Sequence, residues 1–344
     1  MRKFAVFSGF LGSGKTSTMM ALAKQNSKNA MIVNDLGSEG LADKRLAKLR
    51  GCNAVEITGD CICYQNEKLM AQLEELYSSG FELVISDIPG FGVGALEHVY
   101  HGLEEKFPGQ CELAPFTVLV EPDTVKTLSA GFNEDLYYIL NTQLVEADLI
   151  VLNKCDSISE DEKAAYSAWL RKNYPQAELI CISALTGENM DALEKALLQG
   201  KASMHKPDIG YEGEAFTKIM SQVCEYNIQY YAVVCCESFD GNDYLLALAE
   251  EIKAAVASIG AEIPHMKLLA WEPDGEYAKA DMMGTKRPVE VSQRFSHPCT
   301  ELAVALNSSA FGNREQLDKS VTAAIEKVSE KFQLELSIFK KELI

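Results

Sequence analysis

The first two hundred residues predict an α/β fold, a mostly parallel sheet with helices on both faces, and the rest predicts a smaller α+β domain. Three observations carry this. Short, nearly continuous apolar runs alternate with stretches of helical period, as strands buried on both faces alternate with covering helices. A glycine loop separates the first such run from the first helical stretch. The alternation stops near Gly200, where a polar segment with Gly and Pro intervenes.

The elements follow in order. Lys3–Ser8 (KFAVFS) is the first strand, and TSTMMALAKQ after the glycine loop is a helix. Asn29–Asp35, Asn53–Thr58 and Phe81–Asp87 are further strands, as are FTVLVEP, ADLIVLNK and AELICIS. Helical period fills EKLMAQLEELYSS, EDEKAAYSAWLRKNY and NMDALEKALLQG. The expected boundaries are a first domain over 1–200, a linker over 201–215 and a second domain over 216–344. In the second, YYAVVCCES, PHMKLLAWE, EYAKADMM and TELAVALNS read as strands. NDYLLALAEEIKAAVASIG and REQLDKSVTAAIEKVSEKF read as helices, in a pattern that suits a ferredoxin-like sandwich.

The net charge of −18 over 344 residues argues against nucleic acid or an anionic membrane surface as partner. Any anionic ligand must be held by a local field of opposite sign. The ten cysteines mostly sit in apolar runs, which suits buried free thiols in a reducing compartment, and the expected location is the cytoplasm. The N-terminus MRKFAVFSGFLGSGK is basic then apolar, but it lacks a small-residue cleavage site and runs into the glycine loop. No apolar run reaches transmembrane length.

GFLGSGKT, Gly9 to Thr16, fits G-x-x-x-x-G-K-[ST] between a strand and a helix, the context a phosphate-binding loop needs. Backbone N–H groups freed by Gly9, Gly12 and Gly14 cradle phosphate oxygens, with Ser13 and Ser17 in the same loop and helix start. Lys15 reaches toward the β- and γ-phosphates, and the Thr16 hydroxyl suits Mg²⁺. NKCD, Asn153 to Asp156, ends an apolar strand and points to guanine. The Asp156 carboxylate matches the guanine N1–H and N2–H₂ pair, which adenine lacks, and Asn153 and Lys154 brace the loop. Ser183, Ala184 and Leu185 follow another strand as a second base-contacting loop. DIPG, Asp87 to Gly90, fits a D-x-x-G element in which Asp87 holds Mg²⁺ through water and Gly90 N–H senses the γ-phosphate. GTP and Mg²⁺ are therefore the expected ligands. A small-molecule kinase would carry an Arg-rich lid and lack NKxD, the reverse of this chain.

These residues resemble the CobW/HypB/UreG class of P-loop GTPases, most closely its CobW branch. GFLGSGKT looks like that branch's P-loop. VNDLGSEG (Val33–Gly40) resembles its VNEFGE-x-G switch, VEITGDCICY resembles VEL-x-NGCICC, and QLVEADLIVLNKCD (Gln143–Asp156) resembles Q-x-x-x-AD-x-x-x-x-NK-x-D. The match covers about the first two hundred residues. It implies a SIMIBI-like P-loop fold and a GTPase that delivers or manages zinc, cobalt, nickel or a corrinoid for a client protein. The switches carry no obvious Arg finger, with Arg45 and Arg50 the nearest arginines, so slow intrinsic turnover is expected, and a homodimer is a further expected state. The resemblance also implies that Cys61 and Cys63 are the first two thiols of a transition-metal site for Zn²⁺ or Co²⁺. Asp35 and Glu39 fall in the switch, beside the Mg²⁺ residues Thr16 and Asp87.

The sequence departs from the pattern in three places. Tyr64 stands where the family has a third cysteine, Asp87 replaces a glutamate, and Ser38 replaces the switch glutamate. Remaining ligands could come from Asp60, Glu39, a second subunit, or His98 and His101 one helical turn apart. The alternative function is a nucleotide-dependent regulatory module for a corrinoid or methyltransferase-type partner, without metal transfer.

Overall fold

The computed structural model describes residues 2–35, 47, 51–130, 134–207, 213–214, 217–218, 221, 223–235, 237–273, 275–282, 284 and 288–343. They fall into two compact units that divide between residues 216 and 217.

The first unit is wound around a parallel sheet. Its strands are β1 (Lys3–Ser8), β2 (Asn29–Asp35), β3 (Ala54–Thr58), β4 (Leu83–Asp87), β5 (Glu112–Leu113), β6 (Thr117–Val120), β7 (Leu149–Leu152) and β8 (Glu178–Cys181). They lie in the order β3-β2-β4-β1-β6-β7-β8, with the short β5 also paired to β1. Every residue of β1, β4, β6 and β7 is buried, whereas the outer strands β3 and β8 are mostly half-buried. That gradient explains the unbroken apolar runs of the central strands, since a strand covered by helices on both faces has no solvent side.

The covering helices are α1 (Lys15–Gln25), α2 (Asn66–Ser78), α3 (Gly102–Lys106), α4 (Pro122–Ala130), α5 (Glu134–Val145), α6 (Glu160–Asn173) and α7 (Met190–Gln199). A π-helical stretch, Leu96–His101, runs directly into α3. Ser159 opens α6 with a reciprocal capping box to Glu162, which satisfies two otherwise orphaned N–H groups. Because the sheet is parallel, the C-terminal ends of its strands share one edge. β1 sits where the winding direction reverses, the usual place for a ligand crevice.

The second unit is antiparallel. Its strands are β9 (Val223–Val234), β10 (Glu262–Trp271), β11 (Tyr277–Met282), β12 (Val289–Gln293), β13 (Glu301–Phe311) and β14 (Leu334–Leu343), in the order β12-β11-β10-β13-β9-β14. Helices α8 (Gly241–Ser258) and α9 (Arg314–Lys331) connect β9 to β10 and β13 to β14. Without the β11–β12 hairpin the order is that of a split βαβ sandwich, the ferredoxin-like pattern, with the hairpin widening one edge. Tyr230 of the sheet and Tyr244 of α8 share a hydrogen bond of 2.8 Å, and Tyr244 meets Ser329 of α9 at 3.1 Å. These buried hydroxyls satisfy one another inside an apolar core. No helix among the described residues is long and apolar enough to cross a membrane.

Candidate functional site

The site is built along the shared strand edge. The glycine loop leaves β1, Asp87 ends β4, the thiol segment follows β3, and the loops at 153 and 183 follow β7 and β8. With strands about 4.8 Å apart, the thiol strand and the β7 end lie roughly 24 Å apart on opposite sides of the loop.

The glycine loop is fitted closely to its neighbours. Gly9 and Gly14 have φ of +127° and +91°, which side chains rarely adopt, and a Cβ at Gly14 would stand 2.2 Å from Asn153 Nδ2. That closeness has a purpose, because Asn153 Nδ2 donates to Ser13 O at 2.9 Å. Lys15 is buried, and its Nζ donates to the carbonyls of Gly9 (2.6 Å) and Phe10 (3.4 Å), so its charge is held over the loop. Ser13 Oγ is buried with no protein hydrogen-bond partner, an orphaned polar atom inside the cradle. Thr16 is half-buried and Ser17 exposed at the start of α1.

Three loops meet at Asn153. Its Nδ2 holds the glycine loop, while its Oδ1 accepts from Ala184 N at 3.1 Å. Ser183 Oγ donates to Asp156 Oδ1 at 2.5 Å, which fixes the carboxylate at an exposed rim. Lys154 adopts a left-handed φ of 62° and pairs with the buried Glu121 at 2.6 Å. Leu185 stands in solvent, 87 % exposed.

On the other side of the glycine loop the organising residue is Asn34 of β2. Its backbone N–H donates to Asp87 Oδ1 at 3.4 Å. Its side chain donates to Asp60 O (3.0 Å) and accepts from Ile62 N (2.9 Å). One residue thus touches both the carboxylate ending β4 and the segment carrying the cysteines. Cys61 and Cys63 are buried, the first capping and the second lying within a 3-10 turn over Ile62–Tyr64, and have sulfurs 2.8 Å apart. The Cys63 thiol is pushed well above the usual thiol range, first by its hydrogen bond with Cys61 and then by burial.

Cys63, Tyr64, Asn66, His98 and His101 line one cavity of about 440 Å³, so the structure brings both histidines to the thiol segment. Tyr64 is 62 % exposed, its ring 5.7 Å from that of His98. Among the described residues, no third His, Cys, Asp or Glu donor closes on the two sulfurs. Asp60, one of the expected extra ligands, accepts from Cys61 N at 2.7 Å instead, and His101 Nε2 meets His205 O at 3.2 Å. The side chain of Asp35, together with Ser38, Glu39, Arg45 and Arg50, lies outside the described residues.

Sequence reasoning missed the clamp on Gly90. Gln143 Nε2 donates to Gly90 O and Gly92 O, each at 2.9 Å, and the Glu146 oxygens accept from Gly94 N and Leu96 N, each at 3.0 Å. Both residues are buried on or just after the last turn of α5. Burial raises the Glu146 carboxyl to about 7, against the pull of those two N–H donors. The signal was present in QLVEAD, whose glutamine and glutamate at i and i+3 share a helix face.

A strand–glycine loop–helix cradle, a guanine-type base loop and the aspartate ending β4 on one sheet edge define the P-loop GTPase fold. The chain belongs to the CobW/HypB/UreG family, whose nucleotide-binding domain matches residues 3–181. It is 28 % identical over 187 residues to the zinc chaperone YeiR of Escherichia coli (strain K12), covering 52 % of this chain and 55 % of that protein. It is 24 % identical over 260 residues to zinc-regulated GTPase metalloprotein activator 1 of Dictyostelium discoideum, covering 65 % and 54 %. The chain thus spans about half the length of these curated relatives. Among solved structures it is similar to HypB from Helicobacter pylori in complex with nickel, with 19 % identity, a TM-score of 0.43, and coverage of 59 % of this chain and 91 % of that one.

Proposed function

We propose that the protein is a GTPase of metallochaperone type, in which the bound guanine nucleotide controls a transition-metal site at Cys61 and Cys63. The observation that carries this is Asn34, bonded at once to Asp87 and to the segment that presents the thiols. A rearrangement at the γ-phosphate end is passed to the sulfurs through one buried side chain. The zinc chaperone among the relatives supports metal as the cargo.

In this reading the loop N–H groups and Lys15 hold the phosphates, Asp156 with the Ser183–Leu185 loop reads guanine, and Gly90 N–H reports the γ-phosphate. Thr16 and Asp87 offer hard oxygen donors of the kind Mg²⁺ takes, and Mg²⁺ supplies charge neutralisation at the phosphates. Two thiolates on one tetrahedral Zn²⁺ stand about 3.8 Å apart, so the pair must spread by about 1 Å to bind. Such a strained two-thiolate site suits release to a client more than storage. The free state of every described cysteine suits a reducing compartment, and the cytoplasm is the location we assign.

The test is calorimetric titration of Zn²⁺ and Co²⁺ into the chain with a GTP analogue or with GDP. One ion held weakly at these thiols, with an affinity that changes with the nucleotide, is expected, and Cys61→Ser with Cys63→Ser removes that nucleotide-dependent ion. Tyr64→Cys supplies the missing thiolate and tightens binding. A parent that binds no metal at these thiols in either nucleotide state overturns the reading and leaves the regulatory module without metal transfer.

A further inference from the structure

We infer that the C-terminal unit carries a separate binding site for a borderline divalent cation, made by Glu272, Glu276 and His297. This rests on none of the residues of the functional reading above. The three side chains come from two segments distant in sequence. Glu272 follows β10, Glu276 precedes β11 across the same tight turn, and His297 lies in the loop before β13. One ligand atom from each lies within 4.8 Å of the other two.

The two spacings from the histidine approach those of a coordination shell. His297 Nε2 stands 3.5 Å from Glu272 Oε2 and 3.6 Å from Glu276 Oε2. A charge-assisted N–H···O⁻ bond would be about 2.7–2.9 Å, clearly shorter. Donors on a tetrahedral ion with bonds of about 2.0–2.1 Å stand roughly 3.3–3.4 Å apart, close to what is found. His297 Nδ1 lies 3.1 Å from Pro298 O, a pure acceptor, so that nitrogen carries the hydrogen. In the neutral ring the Nε2 lone pair then faces two carboxylates, which is how a backbone carbonyl orients a metal-binding imidazole.

The donors are also held in place, as a built site requires. Glu272 N donates to Glu276 O at 2.9 Å, closing the turn. Ser296 fixes Glu276 through its backbone N–H (3.0 Å) and hydroxyl (2.6 Å). The loop carrying His297 is anchored on both sides. Asn242 pairs with the backbone of Phe295 at 2.9 and 3.1 Å, and Cys299 exchanges two backbone bonds with Phe239 at 2.8 and 2.9 Å. Glu272 is buried, and a divalent ion between its carboxylate and that of Glu276 would offset the cost of taking charge out of water. One nitrogen and two carboxylate oxygens suit Zn²⁺ or Co²⁺ better than Mg²⁺.

The probe is Co²⁺ titrated into the full, nucleotide-free chain carrying Cys61→Ser and Cys63→Ser, followed by visible absorption with Zn²⁺ as competitor. One equivalent is expected, with d–d bands and no thiolate charge-transfer band. Losing a ligand costs more than the about 10–100-fold of losing an outer-shell partner, so His297→Ala should weaken binding beyond that range. Glu276→Gln, whose side chain is 38 % exposed, tests the same point with little risk to folding, and at least a tenfold loss is expected. Zn²⁺ should raise the Tm of this double-serine chain and leave that of its Glu276→Gln variant unmoved. A double-serine chain that binds no Co²⁺, or Glu276→Gln binding as its parent does, overturns the site. The three residues are then a protonated histidine between two carboxylates.

Discussion

The two ends of the strand edge are built differently. At the β7–β8 end, Asn153 ties the glycine loop to the loop at 184, Ser183 fixes Asp156, and Lys154 is paired to a buried glutamate. Each base-side group has a fixed partner. At the β3–β4 end one asparagine connects Asp87 to the thiols, and the sulfurs carry no third donor among the described residues. The contrast teaches a division of labour. Base recognition needs a preorganised rim, because donors and acceptors must match without delay. The end that we propose the nucleotide controls needs an element with two arrangements, and one buried side chain that joins Asp87 to the thiol segment offers it.

The comparison breaks most easily in the middle. Lys15→Ala removes the charge held over the glycine loop, and nucleotide affinity should fall on the order of a hundredfold or more in an equilibrium binding assay. Unchanged GTP affinity would sink the cradle assignment. At the rigid end, Asp156→Asn should lower GTP affinity about a hundredfold and raise that for xanthosine triphosphate, because the amide inverts one donor–acceptor pair. Competition between the two nucleotides measures it, and retained guanine preference would place base reading elsewhere.

At the loose end, Asn34→Ala should leave base preference intact while abolishing the difference in metal affinity between GTP-analogue and GDP states. Ile62 N and Asp60 O lose their partner, so a stability loss of roughly 1–3 kcal/mol should accompany it. Calorimetry in both nucleotide states reads the first effect and denaturant unfolding the second. A preserved nucleotide dependence would move the coupling off Asn34.

The smallest expected effect concerns Glu146, the clamp behind the loose end. Its carboxyl lies near 7 in the native chain against an ordinary 4.5, so between those pH values the native state holds a proton that the unfolded chain has lost. The stability this contributes is present in full below 4.5 and is lost as pH rises through about 7. The upper bound is roughly 3 kcal/mol. Glu146→Gln should flatten that part of the stability–pH curve in denaturant melts. It should also weaken the clamp, since an amide NH₂ would face Gly94 N–H or Leu96 N–H. A curve with the same slope as the parent would refute the assignment.

Much of the fold was legible in the sequence because central parallel strands leave a local signature. KFAVFS, FELVISD and DLIVLN are apolar on both faces, and the glycine loop between β1 and α1 has a spacing that physics restricts. The unread elements lacked such marks. EDLYYILNTQLV of α5 mixes aromatic and apolar residues around the whole helix, so no stripe stood out. The π-helical turn at Leu96–His101 has a period that a 3.6-residue template does not match. Strand β14, LELSIFKKEL, follows α9 after a two-residue break and reads as more charged helix until its pairing with β9 is seen. In the second unit the sandwich pattern was readable, but β12 and the widened edge were not.

Sequence alone determined which groups we assign to the phosphates and the base, because a P-loop and NKCD are short segments whose chemistry is complete within a few residues. It also determined that two thiols stand alone where the family has three, since that is a matter of identity at one position. Only the tertiary structure decided what joins them. Asn34 reaches Asp87 and Ile62, Gln143 reaches Gly90, and His297 reaches Glu272 and Glu276, each across more than twenty residues of chain. Such partners are set by strand order and by the angle at which a loop returns. These are properties of the packed whole, and no local period in the sequence encodes them.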